Sequence, residues 1–222
     1  MGLKGAFLVD LDGTLAETTG PQARAWGSWA AERGLDGKLF VGAVGMTHVE
    51  KIRRFAPQLD ALAEAADVQE RELRDTREIT ALPGSAELLG SGYRVAIVTS
   101  APRRLAALRL AAAGLPEPEL MVCADDVTSG KPNPEPYCLA AARLGVEPGS
   151  CTVFEDAPAG VEAGLASGAW VVALTTSVSA AQLTRAHAIM PNIAVYLTLL
   201  DMMPRSPAGR SGRFPAAAAL SR

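Results

Sequence analysis

The sequence predicts an α/β fold, a parallel sheet core with helices on both faces and an all-helical insertion after the first strand. Short apolar runs alternate with segments of helical period, and most of those segments close on glycine or serine. One long stretch, from Leu15 to about Leu82, breaks the alternation and carries helical periodicity alone.

Strands buried on both faces read as near-continuous apolar runs. Such runs occur in AFLVDLD (6–12), YRVAIVTS (93–100), CTVFED (151–156) and AWVVALTT (169–176), with a weaker one in ELMVCAD (119–125). Helical patterns lie between them: PGSAELLGS from Pro83, PRRLAALRLAAAG from Pro102, NPEPYCLAAARLG from Asn133 and APAGVEAGLASG from Ala157. Strand–helix alternation implies parallel strands, right-handed crossovers and helices on both faces of the sheet.

The interruption holds PQARAWGSWAAERG, THVEKIRRFA and LDALAEAADVQERELRDTREI, none of them strand-like. The resulting division is a core of residues 1–15 and 82–203 and a helical insertion of 16–81. Trp26 and Trp29 stand three apart on one helix, a spacing that packs them into a core. The charged run RELRDTRE reads as a solvated helix face with supporting ion pairs. After Met203 the chain turns to Pro, Gly, Ser and Ala with four arginines and no acid, which predicts a disordered tail over 204–222.

Composition narrows the function classes. With 222 residues, 49% of them hydrophobic and 20% charged, the chain has the make-up of a soluble α/β protein. A net charge of -3 supplies no basic field, so neither nucleic acid nor an anionic membrane is expected as a partner. No apolar run approaches the roughly 18 residues of a membrane span. The N-terminal MGLKGAF lacks the layout of a secretory signal, and Ala6 replaces the Ser or Thr of a myristoylation site. Cys123, Cys138 and Cys151 are odd in number and form no CxxC pair, so they read as small buried hydrophobes in a reduced, cytoplasmic protein.

The chemistry gathers where the strands end. Asp10 and Asp12 stand two apart at the close of the first run, so both are expected to project from one side. In open α/β sheets that edge binds ligands. Two carboxylates so close repel unless a cation lies between them, and Mg2+ prefers oxygen ligands. Thr99 and Ser100 end the second run, where hydroxyl and amide groups suit phosphate oxygens at a helix N-terminus. Lys131 follows in GKPNPEPY, and Glu155 and Asp156 end CTVFED. Hydroxyl, ammonium and four carboxylates at one edge describe a metal-plus-phosphate site.

DLDGT, the strand-end Thr99, Lys131 in GKPNPEPY and FEDAPAGVEAGLASGA resemble, in order and spacing, the four motifs of the haloacid dehalogenase-like hydrolase superfamily, over nearly all of residues 5 to 200. FEDAPAG, KPxPEPY and RRFAP are most similar to its branch of sugar-phosphate and polyol-phosphate phosphatases. The resemblance implies a Rossmann-like parallel sheet core with an all-helical cap domain inserted after the first strand, residues 16–81, and a phosphoric monoester hydrolase in which Asp10 is the nucleophile that becomes an aspartyl-phosphate. Asp12 is then the acid and base, and Thr99, Ser100 and Lys131 hold the phosphoryl group. Magnesium is held by Asp10, Asp12 through its carbonyl, and Asp156, with Glu155 as a direct or water-mediated neighbour. An aspartate at position 12 fits a phosphate ester, since it can protonate an alkoxide leaving group.

A β-phosphoglucomutase-like isomerase shares these motifs and is the alternative. Such mutases carry a cap His and a cap Arg where this chain has Gln22 and GMTH (45–48), which favours hydrolysis. A catalytically silent binding module is a further alternative, weakened by the intact motif residues. Thr47 and His48 are the candidate substrate contacts, with a loop His of no catalytic duty as the other reading of His48. His187 reads as structural or exposed. The implied partner is a small phosphorylated sugar or polyol; the oligomeric state is open and a monomer is admissible.

Overall fold

A computed structural model describes residues 6–202; the expected tail at 204–222 lies outside them. The chain runs β1 (Phe7–Val9), β2 (Ala16–Glu17), α1 (Thr19–Glu32), α2 (Gly37–Gly42), α3 (His48–Phe55), α4 (Ala61–Leu73), β3 (Thr80–Ala81), α5 (Ser85–Leu89) and β4 (Val95–Val98). It continues through α6 (Arg103–Ala112), β5 (Leu120–Val122), α7 (Glu135–Arg143), β6 (Thr152–Glu155), α8 (Pro158–Ala166), β7 (Trp170–Leu174), β8 (Ala188–Met190) and α9 (Ile193–Met202).

Six parallel strands form the sheet in the order β5-β4-β1-β6-β7-β8. Every strand read from the sequence is present. Because successive strand residues point to opposite faces, Phe7 and Val9 join a cluster with Ile97, Phe154 and Tyr196, while Leu8 joins one with Val98, Val153 and Tyr137. Both faces are therefore dry, which explains why the runs are apolar throughout. From β1 the chain builds outward to β4 and β5 on one side and later to β6, β7 and β8 on the other. A crevice opens at such a switch point, beyond the carboxyl end of β1.

Helices α1 to α4 lie in the chain between β1 and β4 and carry their own core of Trp26, Trp29, Phe40, Ile52 and Val68. Trp26 and Trp29 pack edge to face with centroids 5.4 Å apart, as their spacing predicts. Capping starts these helices. Asp36 accepts from Lys38 N, Asp60 from Leu62 N and Ala63 N, and Thr47 forms a capping box with Glu50.

Two expectations need correction, and one stretch carries structure that the sequence pattern does not announce. The insertion contains strand after all: β2 and β3 pair antiparallel at its two ends, through two residues each, too few to show an alternating pattern. Residues 188–202, unassigned from the sequence, form the edge strand β8 and helix α9. β8 is only three residues long, and α9 is apolar enough to lack an obvious polar face. RELRDTRE is not wholly solvated. Arg71 and Arg77 make surface ion pairs with Glu32, Asp67 and Asp75, but Glu72 is 2% exposed and paired inside the molecule.

Cys123 and Cys151 are buried, Cys138 is half-buried and none of the three is in a disulfide. His187 is structural, its Nδ1 accepting from Val171 N at 3.0 Å with the ring stacked on Trp170. No described helix is long and apolar enough to cross a membrane.

Candidate active site

β1 ends at Val9, earlier than the apolar run implies, so the two aspartates leave it in a tight turn rather than along a strand. Asp10 still donates its N–H to Phe154 O at 3.0 Å. Gly13 then turns the chain at φ +77, where a Cβ would collide with Asp156 Oδ2 and Ser177 Oγ. Glycine at this position serves both the left-handed backbone and the close approach. Asp10 and Asp12 face one cavity of about 300 Å³, with Asp156, Ser100, Gln22, Lys51 and Arg109 among its lining.

Under the cavity sits a buried cluster. Lys131 Nζ donates to Asp10 Oδ1 at 2.5 Å, Glu155 Oε1 at 2.6 Å and Val98 O at 2.9 Å. Burial works against this ammonium, but Asp10 and Glu155 outweigh it and hold it above the ordinary lysine range. Glu155 also accepts from Tyr137 Oη at 2.6 Å and from the N–H groups of Asp156 and Ala157. A Cβ at Gly160 would strike the Glu155 carboxylate, so the glycine in FEDAPAG lets α8 sit directly against it.

The acids here are held out of water. Burial pushes Asp10 well above the usual carboxylate range, with Lys131 opposing. Burial and then Glu155 raise Asp156 to about 7, against the Ser177 hydroxyl and Lys131. Asp10, Glu155 and Asp156 each offer a ligand oxygen within 4.8 Å of the others. Asp156 Oδ2 is buried with no hydrogen-bond partner. An orphaned buried carboxylate oxygen among other acids suits a hard divalent cation, so the donor set fits the metal that the sequence implies.

Asp12 is held by both oxygens: Thr18 Oγ1 donates to Oδ1 and Arg109 Nη1 to Oδ2, each at 2.7 Å. Arg109 Nη2 reaches Glu72 Oε2 at 2.7 Å, and His48 Nε2 lies 3.2 Å from that oxygen. A chain of charges thus joins the sheet edge to α3 and α4. Ser100 Oγ donates to Gly45 O of the insertion at 2.6 Å, while Thr99 Oγ1 accepts from Ala101 N and keeps its proton for another partner. His48 lines the cavity as the first residue of α3, not in a loop, stacked on Trp26. Thr47 is turned elsewhere; its hydroxyl serves the capping box, and it faces a second cavity beside Glu50 and Gly130.

A haloacid dehalogenase-like hydrolase family model matches residues 4–168. The chain belongs to that family. Hexitol phosphatase A of Escherichia coli is 38% identical over 201 residues, spanning 87% of this chain and 93% of the relative. 2-Deoxyglucose-6-phosphate phosphatase 1 of Saccharomyces cerevisiae is 34% identical over 198 residues, spanning 77% and 79%. Among solved structures, a hydrolase from Pseudomonas syringae superposes with a TM-score of 0.80 at 25% identity, covering 90% of this chain and 99% of that one.

Against the haloacid dehalogenase-like motifs, sequence reasoning missed Arg109, Glu72 and Lys51. A signal was available for the first two. Arg109 falls on the stripe of α6 that carries Leu105, Ala106 and Leu110, and Glu72 follows Ala65 and Val68 on the buried stripe of α4. A charge on the apolar face of a helix must be paired or bound to something, and here the two pair with each other. Lys51 sits beside Ile52 on α3 and gives no such pattern.

Proposed function

We propose that this chain is a magnesium-dependent phosphatase of a small sugar or polyol phosphate monoester. The observation that carries the reading is the convergence of Asp10, Asp156 and Lys131 beneath one cavity, with an Asp156 oxygen left without a partner. Relatives bearing the names of hexitol and deoxyglucose-phosphate phosphatases support the substrate class.

Asp10 attacks phosphorus; its oxygen–phosphorus bond forms as the ester P–O bond breaks, giving an aspartyl-phosphate. Asp12, held by Thr18 and Arg109, gives a proton to the leaving oxygen and then takes one from the water that cleaves the acyl phosphate. Lys131, the Thr99 hydroxyl and the Ser100 backbone bind the transferring group. Magnesium, when bound by Asp10, the Asp12 carbonyl and Asp156, supplies charge neutralisation. Glu155 orients Lys131 and would neighbour the metal, directly or through water. The helical insertion is a cap that shields the intermediate, with His48 facing the substrate. Gln22 lines the cavity with its amide donating to Thr18 Oγ1, so no imidazole stands there to serve a mutase.

The purified chain should release phosphate from hexitol and deoxyhexose phosphates in magnesium, stop with a chelator, and lose at least about 10³-fold in Asp10→Asn. Phosphate release undiminished in that variant would sink the reading. So would glucose 6-phosphate accumulating from β-glucose 1-phosphate without free phosphate.

A further inference from the structure

Most donors around the cavity are already engaged. Arg109 bridges Asp12 and Glu72, Ser100 Oγ donates to Gly45, and the Gln22 amide donates to Thr18. Lys51 differs. It lines the cavity from α3, is 5% exposed, and its ammonium makes no hydrogen bond or ion pair among the described residues. Its ammonium lies 5.2 Å from the centroid of the Trp26 ring, and the charges of Glu72, Arg109 and Asp12 act on it without a direct pairing. A cation–π contact replaces only part of the hydration that a buried ammonium loses.

We propose that Lys51 is a specificity-determining residue that donates to an oxygen on the substrate's carbon skeleton, away from the phosphate. This rests on the phosphatase reading and narrows it: the ester must carry a hydroxyl or carbonyl oxygen at its far end. An ammonium has three donors and no acceptor, so a substrate amine is excluded and an oxygen is required. A cavity of about 300 Å³ is at the small end for ligand sites, which fits a compact sugar or polyol chain running from Asp10 toward α3. Burial lowers the Lys51 ammonium to about 8 with Glu72 opposing, so it still carries its charge at neutral pH.

The test compares two phosphate esters of equal carbon number, a hexitol 6-phosphate and n-hexyl phosphate, with magnesium present. In Lys51→Met the ratio of kcat/KM for the first over the second falls about 10- to 100-fold, the loss expected for a charge-assisted hydrogen bond. In Lys51→Gln, which keeps a donor, the ratio falls less and in the same direction. A structural role for Lys51 would lower both esters together and leave the ratio unmoved. An unmoved ratio in either soluble variant overturns the proposal while the phosphatase reading stands. Absence of phosphate release from every ester by the wild-type chain removes that reading, and this inference with it.

Discussion

Two lysines are buried within one site and could hardly be treated more differently. Lys131, 1% exposed beneath the sheet edge, is clasped by Asp10, Glu155 and a backbone carbonyl. Lys51, 5% exposed on the helical insertion, lies over an indole face with no acid in direct contact. The first is held above the ordinary lysine range by its acids, whereas burial depresses the second to about 8. A fully satisfied charge is part of the scaffold, present before any ligand arrives. An unsatisfied one stores a demand that a ligand can meet. The sheet edge is therefore built for a constant piece of chemistry, and the insertion for a variable guest.

Lys131→Met is the harshest way to break that contrast. It leaves Asp10 and Glu155 buried without their cation, and removing one partner of a buried pair costs about 3–5 kcal/mol. Urea denaturation should register that loss, and phosphate release should fall by about 10²–10³-fold with the lost electrostatic donor. A variant as stable as wild type would mean that the clasp is not structural.

The same contrast explains what the sequence discloses. At the sheet edge, strand runs end in Asp10, Thr99, Glu155 and Asp156, and a near-continuous apolar run that stops in a carboxylate is visible without coordinates. Gly13 and Gly160 are legible only in hindsight, because what they make room for lies far along the chain or across a turn. The insertion is harder. Its helices announce themselves by period and caps, but the partners that define its cavity, Arg109 with Glu72 and His48 with Glu72, are separated by 37 and 24 positions. RELRDTRE looks solvated since Arg74, Thr76, Arg77 and Glu78 are, and only the tertiary fold decides which acid turns inward. The β2–β3 ribbon and β8 are too short for any pattern to exceed chance.

Between the extremes lies the Arg109–Glu72 pair, which joins the sheet edge to the insertion and is buried on both sides. Arg109→Met and Glu72→Gln should each destabilise the chain, and the double variant should recover part of the loss. A double-mutant cycle in urea should give a coupling of about 2–3 kcal/mol. Additive effects would show that the insertion is held to the core without this link. Since Arg109 also fixes Asp12, its variant should lower kcat more than Glu72→Gln does, and equal losses would remove Arg109 from the positioning of Asp12.

The smallest effect should come from Lys51, and its sign is opposite to that of Lys131. A lysine whose folded value is lowered from 10.5 to about 8 binds fewer protons folded than unfolded within that window, so stability rises with pH across it. The penalty for burying the charge is fully present below about pH 8 and vanishes above the unfolded value. Lys51→Met removes it at every pH. The stability advantage of the variant should therefore be greatest near neutrality and shrink by about 1–2 kcal/mol on going to about pH 9.5, as linkage requires. Denaturant midpoints of both proteins along that series measure the difference, in which the remaining lysines cancel. An advantage that stays flat would mean that Lys51 already has water or a partner as good as water, and the insertion would then lack the unmet charge that sets it apart from the sheet edge.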